Sequence, residues 1–263
     1  MISLLSHTES AATLFLRRLQ SYVGVPLTTA GAAIDLEASR QAVAAGDAVL
    51  RPEGSDARIL ASGVACEQRV LDDGRRQILG LRLPGDVLME EERGLVVALT
   101  PLEVADARPV LRLLGETGPA HLPLRRAWVA AARADQALQR DQIVRLGRLS
   151  AAERMAHLLT EVHERLLRVG LASASTFHLP VRQELLADLL GMSIVHVSRV
   201  TQQLRRDRMV EIRSNYVSLL DRERLGRFAG SARGNSAPRP PTIAASGAPW
   251  GLIPGRHAAA PPV

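Results

Sequence analysis

The sequence has no lysine. All 33 basic residues are arginine, against 27 acidic ones, for a formal net charge of +6 over 263 residues. A GC-rich coding bias is the plainest origin, but the physical consequence stands either way. A guanidinium stays charged and presents a planar fork of donors that suits phosphate and guanine. Cysteine is nearly absent too. The single Cys66 excludes a disulfide framework, a four-cysteine iron–sulfur cluster and a structural zinc finger, and a buried reduced thiol is expected. No apolar run approaches the roughly 20 residues a membrane helix needs, so no membrane partner is expected. The start, Met1 to Glu9, lacks a basic segment and soon meets an acid, so it is not read as a signal peptide. A reduced, cytoplasmic chain is the expectation. Histidine is missing between His7 and His121, whereas a metal-dependent enzyme of the cupin β-barrel type needs clustered histidines on its strands. That reading is remote. His157 and His163 stand six apart, off one helical face, and do not form a chelating pair. No nucleophile–base–acid set stands out, so no catalytic site is expected, and with one cysteine and sparse histidines, the usual haem ligands among them, no metal site or cofactor is expected either.

What is present is unevenly placed. The length suits one to two domains of roughly 150 residues, and an apolar content of 46% suits a folded chain. Residues 1–180 hold 21 arginines and 21 acids, residues 181–230 hold nine and six, and residues 231–263 hold three and none. All the excess positive charge therefore lies in the C-terminal third; such asymmetry is a reason to suspect a nucleic-acid or membrane partner, and with no membrane helix in the sequence nucleic acid is the one expected.

Residues 8–20 read as a short amphipathic helix with Leu14, Phe15, Leu16 and Leu19 on its apolar side. The alanine-rich stretch to about 45 is ambiguous. From 46 to about 110, short apolar runs alternate with turn signals: Gly46-Asp47, Pro52-Glu53-Gly54, Ser62-Gly63, Asp72-Asp73-Gly74 and Pro84-Gly85-Asp86. Such spacing suggests a small all-β sandwich or barrel. The clearest hairpin joins Val64–Leu71 to Arg75–Leu83 through Asp73-Gly74. From about 122 the texture turns helical. Leu124, Trp128, Ala131, Leu138, Ile143, Val144 and Leu146 recur at near-heptad spacing, broken at Asp135 and Gln142. Spacing alone favours a helix packed on its own domain over a dimer helix. Ser150-Ala151-Ala152-Glu153 matches a capping box, so a new helix is expected from about 151 to Val169, stopped by Gly170. The last 33 residues hold seven of the 15 prolines and are expected to be a disordered tail.

The informative stretch is Leu179–Arg227. Arg182–Leu190 has helical spacing, Gly191 follows, and Ser193 can cap a second helix. Leu186, Leu190, Met192, Val197 and Val200 then fall at the five buried positions of a helix-turn-helix, and Ala187 at the small position where the two helices cross. Ile194, Val195, Ser198 and Arg199 point outward. Met209–Arg213, Ser214-Asn215 and Tyr216–Leu220 read as a two-strand wing, and Asp221 caps a last helix through Phe228.

With those residues in view, Pro180–Ser193 followed by Val195-His196-Val197-Ser198-Arg199 resembles the winged-helix domain of bacterial transcription regulators of the Crp/Fnr family. Gly63–Cys66, Leu71–Leu79 and Leu83-Pro84-Gly85-Asp86 are similar to that family's N-terminal β-roll, and Ala152–Leu159 to the helix after its hinge. The resemblance covers about 10–230. It implies an α+β fold with an N-terminal arm (1–26), a double-stranded β-roll sensor domain of the cyclic-nucleotide-binding type (27–121), a dimerisation helix (122–149), a winged helix-turn-helix (150–230) and the tail (231–263). It further implies a homodimer on pseudo-palindromic double-stranded DNA, with RNA polymerase as a further partner. Arg199 matches the family's guanine-contacting arginine, for which two parallel N–H donors to O6 and N7 supply the reason. Ser198 matches a base- or phosphate-contacting position. Where many members place a glutamate that accepts from cytosine, this chain has Val195, suited only to apolar contact such as a thymine methyl; Ile194 is apolar likewise. Arg182, Gln183, Arg205, Arg206 and Arg208 are candidate phosphate contacts, although a run of arginines also suits a helix C-terminus. His196 can touch phosphate or pack beside the turn.

In relatives that bind cyclic nucleotides, a Gly-Glu-Leu helix start and an Arg-Ser-Ala or Arg-Thr-Ala hold the ribose and the cyclic phosphate. This chain runs from Pro84-Gly85-Asp86 through Glu90-Glu91-Glu92-Arg93 into the next strand with neither motif, and three adjacent carboxylates repel phosphate. No cyclic AMP binding is expected. An alternative of another class is a regulatory module whose winged helix binds protein through Ile194 and Val195.

Overall fold

The computed structural model describes residues 9–27, 36–50, 57–89, 94–116 and 118–230. The chain start, Pro52-Glu53-Gly54, the Glu90–Arg93 segment and the tail lie outside them. Among the described residues no helix is long and apolar enough to cross a membrane.

Helix α1 (Ala11–Val23) begins three residues later than spacing suggests, because Ser10 caps it by accepting the Thr13 N–H at 3.0 Å. Leu14, Phe15, Leu19 and Tyr22 are buried, and Leu16 is only half-buried. The β-roll follows as two antiparallel sheets. One orders β1 (Gln41–Val43), β7 (Leu102–Asp106), β2 (Ala57–Ser62) and β5 (Val87–Met89). The other orders β4 (Arg76–Arg82), β3 (Ala65–Val70) and β6 (Leu95–Ala98). The β3–β4 hairpin turns where expected, with Leu71 N–H donating to the Arg75 carbonyl at 2.7 Å, and a bulge interrupts its register at Glu67/Gln68. Strand β1 falls in the stretch where no pattern was visible. Gly85 lies between β4 and β5 at φ +92°, and a Cβ there would stand 3.0 Å from the Leu14 carbonyl oxygen of α1. Only glycine lets these two backbones approach so closely.

Helix α2 (Arg108–Gly115) leads to α3 (Leu122–Arg148), 27 residues and about 40 Å long. Its apolar residues divide between two faces. Leu124, Ala127 and Ala131 pack inward with α1 and the β-roll, whereas Ile143 is 71% exposed and Val144 half-exposed. Helix α4 (Ala151–Arg168) starts with the expected capping box: Ser150 N–H donates to the Glu153 carboxylate at 2.7 Å and Glu153 N–H to Ser150 Oγ at 3.4 Å. Then come β8 (Thr176–His178), α5 (Gln183–Leu190), α6 (Ile194–Arg206), β9 (Val210–Arg213), β10 (Tyr216–Leu219) and α7 (Arg222–Phe228). The wing has three strands, ordered β8-β10-β9, one more than the sequence suggests. A single apolar cluster runs from Val64, Cys66, Ile78, Leu81 and Leu83 of the β-roll through α4 to Leu225 of α7. The C-terminal domain thus rests on the β3–β4 hairpin.

Candidate nucleic-acid interface

The helix pair α5–α6 is built as its sequence requires. Gly191 closes α5 in the left-handed region at φ +61°, and its N–H returns to the Ala187 carbonyl. Ser193 then caps α6 by accepting the His196 N–H at 3.2 Å. Leu186, Ala187, Leu190, Val197, Val200 and Leu204 are buried, while Met192 is half-buried. Burying Val197, Val200 and Leu204 on one side turns the opposite side of α6 to solvent.

That outer side carries the residues singled out from sequence. Arg199 is exposed and has no hydrogen bond or ion pair among the described residues. Val195 is 61% and Ile194 46% exposed, His196 is exposed rather than packed beside the turn, and Ser198 is half-buried. Arg182 and Gln183 are exposed at the start of α5, where Arg182 is the cap residue. Arg205 is exposed too, but one nitrogen donates to the Ile212 carbonyl at 2.9 Å and so joins the end of α6 to the wing. The wing turns through Ser214 and Asn215, both at positive φ, and Tyr216 stacks on His178 with ring centres 4.9 Å apart.

The sequence did not disclose how α5 and α6 are held from behind. The last carbonyls of α5 accept donors from three other elements. Gln77 of β4 donates to Asp188 O at 3.0 Å, Gln142 of α3 to Leu189 O at 2.9 Å, and Arg154 of α4 to Leu190 O at 3.0 Å. Arg76 also pairs with the Asp188 carboxylate at 2.7 Å. These partners cap a helix end that would otherwise leave carbonyls unpaired. The only sequence signal was Gln142 interrupting an apolar seam.

Residues 153–228 match the Crp-like helix-turn-helix domain. The nitrogen fixation regulation protein FixK of Bradyrhizobium diazoefficiens is 37% identical over 176 residues, covering 64% of this chain and 72% of that protein. The chain belongs to the Crp/Fnr family of transcription regulators. Like the family, it is a DNA-binding regulator and not an enzyme. The transcriptional activatory protein AadR of Rhodopseudomonas palustris is 32% identical over 183 residues, covering 65% of this chain and 72% of that one. Among solved structures, FixK2 from Bradyrhizobium japonicum superposes with a TM-score of 0.61 at 25% identity, covering 72% of this regulator and 96% of that chain. A CRP/FNR-family regulator of Thermus thermophilus, at 21% identity and a TM-score of 0.52 over 73% of this chain and 98% of its own, shares the fold.

Proposed function

We propose that this Crp/Fnr-family protein binds a pseudo-palindromic DNA site as a homodimer, with α6 in the major groove and Arg199 donating to guanine O6 and N7. The placement of Arg199 carries the reading: an unengaged guanidinium on the exposed face of a helix anchored by Val197, Val200 and Leu204. Val195 and Ile194 beside it offer methyl groups to thymine. Ser198 serves bases or phosphate, and His196, Arg182, Gln183 and Arg205 contact phosphates, which set register rather than sequence. Leu122, Val129 and Ile143 are exposed on α3 at seven-residue and fourteen-residue intervals, which supports a second copy on that face. Two-fold symmetry then sets the reading helices about 34–36 Å apart. RNA polymerase beside the bound site belongs to the same reading. Cyclic AMP does not, since the sequence lacks the residues to hold it.

Selection from a random duplex library with the full-length protein tests this. A pseudo-palindrome with a guanine in each half-site is expected, bound more weakly as salt rises. Arg199→Ala should cost about 1–3 kcal/mol and level the preference at that guanine, leaving the oligomer intact. Enrichment of no duplex would leave the exposed Ile194 and Val195 favouring a protein-binding wing instead.

A further inference from the structure

Ten residues apart on α3, Asp135 and Arg145 end a chain of alternating charges that passes through three other elements. Asp135 pairs with Arg18 of α1. Arg18 Nε lies 3.0 Å from Asp86 Oδ1 in an ion pair, and Asp86 Oδ2 accepts from Arg165 Nη2 of α4 at 2.6 Å. Arg165 Nη1 reaches Glu161 at 3.2 Å, and Glu161 pairs with Arg145. Three cations balance three anions. All side chains but that of Asp135 are 10% exposed or less. The central pair joins the β-roll to the first helix of the DNA-binding domain. Arg165 also donates to the Leu81 carbonyl at 3.0 Å, and Asp86 accepts the Leu83 N–H at 2.8 Å, so both are tied to β4 and the turn after it. Burial alone would raise the Asp86 pKa, but Arg165 and Arg18 outweigh it and hold the carboxyl below its ordinary range.

Buried ion pairs seldom beat an apolar core in stability. Their demand for one geometry is what this arrangement supplies, across four elements that are distant in sequence. We propose that the relay is an orientation latch: it holds the DNA-binding domain against the β-roll with α6 turned outward, and so fixes the spacing of the two reading helices in the dimer. The proposal rests on the dimeric DNA-reading function above. Asp86 and Arg165 are positioning residues, since neither lies on the reading face.

The test compares the full-length wild type with the double variant Asp86→Asn/Arg165→Gln, which removes one charge of each sign and leaves a polar side chain at both positions, shorter at 165. The probes are a duplex enriched by the wild type and the same duplex with one base pair added at its centre, which shifts the half-sites by about 3.4 Å and a tenth of a turn. The wild type should lose about tenfold or more in affinity on the insertion, a step the size of one mismatched base pair. The variant should bind the original duplex about tenfold more weakly and lose less than about threefold on the insertion, because freed domains can follow the half-sites. A variant of native circular dichroism that discriminates as sharply as the wild type overturns the latch. If that variant does not fold, Arg18→Gln/Asp135→Asn, at the more exposed end of the relay, takes its place with the same direction expected and the same overturning result. Hydrogen exchange decides without DNA: amides of Leu81–Asp86 and α5 should exchange about tenfold faster in the variant, reflecting local opening, and unchanged exchange overturns the proposal. Should the wild type enrich no duplex, the DNA-reading function fails, and the exchange measurement still decides the latch.

Discussion

His163 is wholly buried in the DNA-binding domain. Its Nε2 stands 2.9 Å from the Ser173 carbonyl, which can only accept, so this nitrogen carries the hydrogen. Among the described residues its Nδ1 has no partner, and the ring lies 5.6 Å from that of Phe177. Protonation would put a second N–H where nothing accepts it. Burial accordingly pushes the pKa below 6.5; the Ser173 contact opposes this, and the charge of Arg222 adds to it. The unfolded chain therefore takes up the proton first. The resulting stability is complete above about pH 6.5 and declines as pH falls below it. The melting temperature should drop between pH 7.5 and 5.5, and His163→Gln, which keeps a donor for Ser173 but does not titrate, should make that slope shallower. An identical slope would assign the titration elsewhere. His157 has the same sign, its pKa lowered by burial and by Arg145, which reaches its Nδ1 at 2.8 Å, and it leaves a residual slope. The two histidines face different neighbours. Who those neighbours are depends on Arg145 of α3 and on the path of the loop that carries Ser173 after α4, which no local pattern reveals.

Helix α3 shows best how much an element discloses of itself. Its extent was plain from residues 122–149, because helical propensity and the Ser150 capping box are local. Its faces were not. The near-heptad seam mixed Leu124 and Ala131, which pack on α1 and the β-roll, with Ile143 and Val144, which face outward. A helix with two apolar faces blurs a single period, so spacing alone favoured the inward face and only the family resemblance argued for the other. The two interruptions of the seam, Asp135 and Gln142, proved to be long-range polar contacts, to Arg18 and to the Leu189 carbonyl. Strands β1 and β8, three residues each, were missed for another reason. Their register comes from β7 and β10, not from alternation within so short a run. The outward face yields a prediction at this scale. Ile143→Glu should leave the protomer folded, since that side chain is 71% exposed, yet place a charge on the proposed dimer face. Sedimentation should show the mass falling from about twice 28.4 kDa towards 28.4 kDa. A dimer of unchanged strength would remove α3 from the interface.

At the scale of the molecule, the β-roll and the winged helix were legible as separate textures, one of short strands and turns, the other of capped helices. The surface between them was not. Val64, Cys66, Ile78, Leu81 and Leu83 lie in the hairpin that the sequence disclosed, but they continue into the core formed by Met155, Leu158, Leu159 and Leu190, which it did not. Cys66 shows the depth of that join: burial pushes its thiol up to about 11, so it stays protonated and unreactive inside the shared core. Multidomain chains often unfold in steps. Here a common apolar cluster, the Asp86–Arg165 pair and the capped end of α5 all cross the boundary, so opening one side strips burial from the other. Scanning calorimetry should therefore record one transition for β-roll and DNA-binding domain together, with calorimetric and van't Hoff enthalpies in agreement once dimer dissociation is included. Its midpoint should rise with protein concentration, as linkage to the proposed dimer requires. Leu81→Ala, which removes apolar volume at the join, should lower that midpoint by an amount set by about 2–5 kcal/mol without splitting the transition. Two separate transitions in the wild type would mean that the α3–α4 junction alone connects the domains, and that the shared core adds little to either.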